Sequence, residues 1–188
     1  NTMKKLLLIL LFVPLVSFGQ ELTVTPDGIR DISNTEKTYV VINTPEKTAE
    51  QNYNNAKAYI NKTYKNPLEV IKGEVKSEYM RFETYFSNFL IIKNSGAKVD
   101  INLKYTIELN FKEGKVKYEI TSLEMKASNN NFKVLFSGSA FSGYPIYNKK
   151  KKKLLRPETK KEIEIYFNNS INEIKSYLLE ETKSDDEW

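Results

Sequence analysis

A stretch of strict alternation between apolar and polar residues constrains this chain more than any other feature of its sequence. Across residues 99–111 every even position is polar and every odd position is apolar: Val99, Ile101, Leu103, Tyr105, Ile107, Leu109 and Phe111. A period of two predicts a long β-strand with one buried and one solvated face. Residues 112–115, which include Gly114, predict a hairpin turn before a returning strand. A phase slip at residues 121–122 predicts a β-bulge in that returning strand.

Two stretches with helical periodicity flank the predicted strands. The first follows Thr48 and Gln51, which have the spacing of a capping box, and its apolar face is Ala49, Tyr53, Ala56, Ile60 and Tyr64. The second follows Thr159 and Glu162, which have the same spacing, and its apolar face is Ile163, Tyr166, Phe167, Ile171, Ile174, Tyr177 and Leu178. Each stripe predicts a helix with one buried side.

The remaining apolar runs complete the predicted order of elements. Residues 38–43 predict a first strand, although a buried helical segment of that length would look similar. A second strand is expected to begin at Leu68 and to bend at Gly73, and residues 79–93 predict a third strand or a broken pair. Residues 132–143 fit either an edge strand or a packed loop.

The resulting order is β-α-β-β-β-β-α. Consecutive strands joined by hairpins must pair antiparallel, and each helix has one apolar stripe to bury. The sequence therefore predicts a two-layer α+β domain with an antiparallel sheet and both helices on one face.

The first residues have the order of a secretory signal peptide. Lys4 and Lys5 precede an apolar block at residues 6–16, and Ser17 and Gly19 supply the small residues of a cleavage site between Gly19 and Gln20. The apolar block is too short to span a bilayer comfortably, and the alternative is a buried N-terminal helix. Residues 1–2 precede Met3 and are interpreted as a remnant that does not belong to the signal.

The predicted organisation therefore has four parts. These are a signal peptide at 1–19, an N-terminal extended segment at 20–36, a single α+β domain at 37–181 and an acidic tail at 182–188. After cleavage the protein is expected in the periplasm, on the cell surface or secreted, with no transmembrane helix. Loss of Lys4 and Lys5 lowers the formal charge from +5 to +3, which is too small to indicate specific binding of nucleic acid.

The composition excludes several kinds of chemistry. The chain has no His and no Cys, which excludes Ser-His-Asp and Cys-His nucleophilic sites, thiolate redox chemistry and zinc sites with nitrogen or sulfur ligands. We therefore expect no enzyme activity, no cofactor and no metal. A carboxylate-dependent enzyme is the weakest of the functions that the composition allows.

One run of charge departs from the mixed surface. It consists of Lys149, Lys150, Lys151, Lys152 and Lys153, and it is extended by Arg156. One interpretation is a solvated loop. The other is electrostatic attraction to an anionic surface, with apolar contact from the flanking Tyr144, Tyr147 and Leu154.

Three segments resemble an uncharacterised family of exported bacterial proteins, described as a domain of unknown function with a TATA-binding-protein-like fold. They are YINKTYKNPLEVI at 59–71, YTIELNFKEGKVK at 105–117 and LTVTPDG at 22–28, and the resemblance extends over about residues 22–178. It implies a β-α-β4-α topology, which agrees with the periodicity, and it brings no catalytic residues.

Two functions are expected from these observations. The first is a non-enzymatic, exported binding or interaction module, whose partner would be another exported protein or an anionic surface. The alternative, which rests on fold analogy alone, is a carrier of a small apolar ligand between the sheet and the C-terminal helix. Its candidate cavity residues are Leu103, Tyr105, Ile107, Ile163, Phe167, Ile171 and Ile174.

Overall fold

The computed structural model describes residues 20–94 and 96–180. The predicted signal peptide at 1–19 and the predicted acidic tail at 182–188 lie outside the described residues. The strands are β1 (Leu22–Thr25), β2 (Gly28–Asp31), β3 (Tyr39–Asn43), β4 (Ile71–Val75), β5 (Tyr79–Asn94), β6 (Ala97–Lys112), β7 (Lys115–Ala127), β8 (Val134–Gly138) and β9 (Tyr144–Asn148). The helices are α1 (Ala49–Thr63), α2 (Pro67–Val70) and α3 (Pro157–Leu179).

The centre of the fold is a five-stranded antiparallel sheet in the order β3-β7-β6-β5-β4. The predicted β6–β7 hairpin is confirmed: Lys112 faces Lys115 across the turn, and Gly114 has a φ of 72°. The predicted bulge is also present, because Thr106 faces Ser122 while the next residue, Ile107, faces Ile120. Residue 121 is thus the extra one.

The two long helices, α1 and α3, cover the same face of the sheet. The odd-numbered residues of β6 point towards them, so that the Tyr105 and Phe167 rings lie 5.3 Å apart and the Phe111 and Tyr53 rings 5.7 Å apart. The helices also meet each other, since Asn55 Nδ2 of α1 donates to the Leu178 carbonyl at the end of α3. The predicted two-layer α+β fold is confirmed.

The two predicted capping boxes differ in outcome. Thr48 and Gln51 form the first as expected, with both reciprocal hydrogen bonds present. The second prediction is wrong, because α3 begins at Pro157 and its N-cap, Arg156, makes no side-chain capping bond. Proline fits the first helical position because its fixed φ suits a helix and its missing N–H would be unpaired there. Thr159 is buried inside the first turn instead.

The start of β4, the second strand of the five-stranded sheet in chain order, was also predicted wrongly. Residues 67–70 form the single helical turn α2, again started by a proline, and Leu68 is 92% exposed. The strand β4 begins at Ile71, and its register shifts between Ile71 and Gly73 as the predicted bend requires.

The strand β5 is one continuous strand rather than a broken pair. Its register with β6 shifts between Phe86 and Leu90, where Asn88 has a φ of 54° and its N–H donates to Asn102 Oδ1 at 3.0 Å. On its other side, β5 pairs with β4 only as far as Phe82. Beyond that residue, within the described part of the chain, β5 is the edge of the sheet.

The segment 20–36, expected as an extended piece, contains a hairpin packed on α3. Leu22 and Val24 of β1 are buried in the core. Asn168 accepts a hydrogen bond from the Leu22 N–H at 2.7 Å and donates to its carbonyl, and Glu164 accepts from the Val24 N–H at 2.9 Å. Residues 132–143, left open between an edge strand and a packed loop, contain β8 and the turn that follows it, and β8 pairs in parallel with β9.

Candidate functional site

A cleft opens where β5 loses its neighbour. The strand β4 is too short to follow β5, and α1 ends at Thr63, where Tyr64 turns to an extended conformation. Between this helix end, α3 and the uncovered half of β5 lies a space of about 490 Å³. We name it the aromatic cleft; it is lined by Tyr59, Thr63, Tyr64, Lys65, Thr84, Tyr85, Phe86, Tyr105, Tyr166, Asn169, Ser170 and Glu173.

Packed aromatic rings form the floor and one wall of the aromatic cleft. The ring of Phe86 lies parallel to that of Tyr105, with an interplanar angle of 7° and a centroid distance of 6.4 Å. Tyr166 meets Phe86 edge-on at 5.7 Å and Phe89 at 5.0 Å. Phe86 is still 40% exposed, because β4 does not extend over it. The packing holds the rings in place before any ligand arrives.

Several hydroxyl groups around the cleft are hydrogen-bonded to each other. The Tyr105 and Tyr166 hydroxyls are 2.9 Å apart, and Thr84 Oγ1 donates to the Tyr64 hydroxyl at 3.2 Å. Burial raises the pKa of Tyr59 and Tyr105 above the ordinary value of 10.0, and burial raises the pKa of Tyr166 to about 12. These phenols therefore remain protonated at neutral pH and can donate or accept hydrogen bonds.

The charged groups of the cleft lie at its rim. Lys65 and Glu173 are both exposed. The interior surface thus offers ring faces and neutral hydroxyls, which suits a ligand with an apolar face and hydrogen-bonding groups.

A larger depression, of about 600 Å³, lies on the solvated face of the sheet. It is lined by polar residues such as Lys104, Glu124 and Lys126 and by the loop at 127–131. Glu124 is paired with Lys133, and Lys104 with Glu83. Because its lining is polar and partly ion-paired, it offers little apolar surface to hold a ligand.

The residues predicted for an internal apolar cavity are packed against each other. Leu103, Ile107, Ile163, Phe167, Ile171 and Ile174 are all buried in the interface between sheet and α3. Tyr105, the seventh, is the member of this set that also lines the aromatic cleft.

The predicted lysine run is an ordered turn. Asn148 Oδ1 accepts hydrogen bonds from the backbone N–H groups of Lys150 and Lys151, and the Asn148 N–H donates to the Lys153 carbonyl at 2.8 Å. All five lysines are exposed. Within residues 20–94 and 96–180, none of them forms an ion pair.

The groups expected to assist the lysine run point elsewhere. Tyr144 is buried, Leu154 is half-buried, and the Tyr147 hydroxyl donates to the Val24 carbonyl at 2.9 Å. The Arg156 guanidinium lies over the Tyr144 ring, 5.6 Å from its centroid, and approaches the Lys93 carbonyl. Arg156 therefore braces the start of α3.

In residues 20–94 and 96–180, no group of three or more Asp and Glu side chains is placed to hold a metal ion. None of the helices in this part of the chain combines the length and apolar character needed to cross a membrane.

The sheet and its first helix match a known family model. Residues 39–126 match the domain of unknown function DUF4468 with TBP-like fold. The match starts at the first residue of β3 and ends one residue before the end of β7. Residues 39–126 are a DUF4468 domain. Within this DUF4468 domain lie the α1, β5 and β6 residues of the aromatic cleft, whereas α3 follows it.

Two solved structures share the architecture of the DUF4468 domain and its surroundings. A DUF4468 family protein from Bacteroides ovatus is 14% identical, with a TM-score of 0.50 over 79% of this chain and 87% of that chain. A TBP-like protein from Parabacteroides distasonis is 9% identical, with a TM-score of 0.53 over 74% of this chain and 90% of that chain. At such identities the likeness is one of fold alone. No curated protein matches the sequence.

The aromatic cleft was not predicted from the sequence of the DUF4468 domain, although one signal pointed to it. The alternation at residues 80–86 puts Phe86 on the same strand face as Met80 and Phe82. In the structure, β4 is much shorter than β5, so the far half of β5 has no partner on that side. An inward aromatic residue on an uncovered strand is the pattern that marks this site.

Proposed function

We propose that the chain is a non-enzymatic, exported binding module whose ligand occupies the aromatic cleft. The observation that carries this proposal is the cleft itself: about 490 Å³ lined by ring faces and neutral hydroxyls, beside the partly exposed Phe86. Export is supported by the order of charge, apolar block and small residues at 4–19.

The lining defines the chemistry of the ligand. Phe86 and Tyr166 present ring surface, so a flat or ring-shaped apolar face on the ligand would be desolvated against them. The Tyr105 hydroxyl stays protonated because burial raises its pKa, and the Tyr64 hydroxyl accepts a hydrogen bond from Thr84, so the cleft pairs best with carbonyl, ether or hydroxyl oxygens. We infer a small, uncharged, amphipathic molecule.

The same groups favour binding over catalysis. A general base at neutral pH needs a pKa near the working pH, whereas the raised pKa values of Tyr59, Tyr105 and Tyr166 keep these phenols protonated. Glu173, the carboxylate of the lining, lies at the exposed rim. The cleft therefore holds and orients a ligand without a group suited to move its protons.

The carrier function remains the alternative, and it differs in where the ligand lies. A carrier needs an enclosed volume between the β6 face and α3, where Leu103, Ile107 and Phe167 pack closely. An open cleft at the edge of that interface supports exchange with solvent rather than enclosure.

A pair of substitutions on one helix tests the proposal. Asn169 lines the cleft and Asn172 does not, and both are exposed on α3. Asn169→Trp should fill the cleft, whereas Asn172→Trp should leave it open and serves as the matched control. The protein is purified from its own host and examined by native mass spectrometry, where wild type and Asn172→Trp should carry a bound small molecule that Asn169→Trp has lost.

Either of two results would contradict the proposal. One is a wild-type protein that carries no bound mass, and the other is a bound mass that Asn169→Trp retains as fully as wild type. Circular dichroism of all three proteins checks that the substitutions leave the fold unchanged.

A further inference from the structure

We propose that the lysine loop, residues 149–153, and the exposed Phe141 together form an edge that docks on an anionic lipid bilayer. The proposal does not depend on the aromatic cleft. It rests on two neighbouring turns, one of which presents only positive charge and the other a single apolar side chain.

The lysine loop presents its charge in a fixed arrangement. Asn148 closes the turn from both ends, by accepting from the Lys150 and Lys151 N–H groups and by donating to the Lys153 carbonyl. Lys152 has a φ of 48°, which lets five residues reverse the chain. The backbone is satisfied within the loop, so the five ammonium groups are left to project into solvent. A compact cluster of this kind attracts the surface of a bilayer that contains acidic lipids.

The turn at 139–142 presents Phe141 in a similarly fixed way. The Ser142 hydroxyl donates to the Ser139 carbonyl at 2.7 Å, and the Ser142 N–H donates to the same carbonyl at 3.0 Å. These bonds close the turn, and Phe141 is 96% exposed at its tip. Its exposure follows from hydrogen bonds that hold the turn away from the core.

The turn at 139–142 starts at the end of the β8–β9 pair where the lysine loop lies, and it leads the chain towards the other end, where Tyr144 faces Val134. The Lys149 N–H donates to the Gly138 carbonyl at 3.1 Å, so the lysine loop begins beside the last residue of β8. Phe141 is three residues further along, and its Cα is at most about 11 Å from that of Gly138. An exposed aromatic side chain within this distance of a lysine cluster can insert into the headgroup region while the charges meet lipid phosphates.

The aromatic residue distinguishes a bilayer from other anionic partners. Nucleic acid or another soluble polyanion would be bound by the lysines through phosphate contacts, with a steep dependence on salt and no need for a projecting Phe. A bilayer would bind both the lysine loop and Phe141, because burial of the Phe ring adds a contribution to binding that salt does not screen.

Vesicle binding of matched variants tests the proposal. The chain from Gln20 to Trp188, the form expected after cleavage, is mixed with vesicles of phosphatidylcholine alone, or of phosphatidylcholine with phosphatidylglycerol, at low and moderate salt, and the bound fraction is measured by co-sedimentation. Each lysine near such a surface contributes about five-fold in partitioning, so replacement of all five by Ser should lower binding at least a hundred-fold. Phe141→Ser should lower it about ten-fold.

A spectroscopic arm locates the inserted residue. Trp188 is the single tryptophan of the sequence, so Phe141→Trp in a Trp188→Phe background gives one reporter at the tip of the turn. Its emission should shift to the blue with phosphatidylglycerol vesicles. Leu68, which is 92% exposed on α2, is the control: Leu68→Trp in the same background should not shift.

Three results would overturn the proposal. The first is equal binding of wild type and the five-Ser variant at low salt, which would make the lysines a solvated loop only. The second is binding that depends on the lysines but not on Phe141, with no shift in the emission of the Phe141→Trp reporter. The third is a stronger, Phe141-independent affinity for a soluble polyanion such as heparin, which would assign the lysines to another class of partner.

Discussion

The β6–β7 hairpin and the β8–β9 pair reach an ordered structure by different means. In the hairpin, alternate side chains of two long strands enter the core, and the turn at Gly114 has nothing within 4 Å of the position that a Cβ would occupy. In the β8–β9 pair, a Cβ on Gly143 would lie 2.4 Å from the Lys133 carbonyl oxygen, and Phe141 projects fully into solvent. The first region is stabilised by repeated burial and the second by individual close contacts.

This difference explains how tolerant each region should be. A strand with many inward residues spreads its stability over all of them, so a change at the turn leaves most of the burial intact. The short β8–β9 pair has few buried residues to share the loss, so a change at the close contact between Gly143 and the Lys133 backbone should affect its stability more. The predictions below test that contrast, from the largest expected effect to the smallest.

The largest effect is expected from a charge on the inward face of β6. Leu109 is fully buried whereas its neighbour Asn110 is half-exposed on the other face. Leu109→Asp should cost about 3–5 kcal/mol in the free energy of unfolding, because it buries a carboxylate without a partner. Asn110→Asp should change it by less than about 0.5 kcal/mol. Urea denaturation followed by circular dichroism measures both, and equal losses would mean that the alternation has been misread.

The two turn glycines provide the next comparison. Asn tolerates the left-handed φ of Gly114 better than most residues, so Gly143→Asn and Gly114→Asn compare a crowded, strained turn with an open one. Gly143→Asn should cost about 2–4 kcal/mol, since its Cβ must displace the Lys133 backbone and its φ of 143° is strained for any side chain. Gly114→Asn should cost less than about 1 kcal/mol. Similar losses at the two sites would remove the proposed distinction between the regions.

The fold could be predicted from the sequence where burial repeats. In β6, seven inward residues repeat with the period of a strand. In α3, the stripe from Ile163 to Leu178 repeats with the period of a helix. Both elements form as predicted. The predictions that failed depend on single residues. Pro67 and Pro157 each start a helix where a strand and a capping box were expected, because a proline at the first helical position outweighs a weaker pattern beside it.

The candidate sites were less accessible to sequence reasoning for a related reason. The lysine loop can be recognised from the sequence as a run of like charge. The exposure of Phe141, in contrast, depends on hydrogen bonds between Ser139 and Ser142, which no periodic pattern in the sequence indicates. The aromatic cleft depends on where β4 stops relative to β5, which is a difference of strand lengths. Features that depend on where a strand or helix stops are harder to infer from sequence than features that depend on its repeating pattern of buried residues.

A smaller effect is expected where the β1–β2 hairpin is fastened to α3. Burial alone would raise the pKa of Glu164, but hydrogen bonds from Lys160, the Thr23 hydroxyl and the Val24 N–H together lower it below the ordinary 4.5. A carboxylate with a depressed folded-state pKa stabilises the protein above its unfolded pKa, and this contribution is lost as the pH falls through the folded pKa. Glu164→Gln should therefore cost about 1–3 kcal/mol at neutral pH.

The difference between Glu164→Gln and wild type should shrink as the solution is acidified below the ordinary pKa of 4.5. Urea denaturation at a series of pH values measures it. The Tyr147 hydroxyl of β9 donates to the Val24 carbonyl, so the β8–β9 pair should loosen together with the hairpin. A loss of stability that is independent of pH would show that the carboxylate charge is not what holds β1.

The smallest effect on stability is expected from the lysine loop, although it carries the most charge. All five lysines are exposed, and the turn is closed by Asn148 and by backbone groups, so replacement of the five by Ser removes no hydrogen bond that holds the loop. Five like charges in one turn repel each other, so the variant should be unchanged or up to about 0.5 kcal/mol more stable, and the gain should fade as salt screens the repulsion. Asn148→Ala is the matched comparison, because it removes the acceptor of the Lys150 and Lys151 N–H groups and should cost about 1 kcal/mol. Thermal denaturation at low and high salt measures all three proteins, and a five-Ser variant that is clearly less stable than wild type would mean that the lysine side chains themselves support the β8–β9 pair.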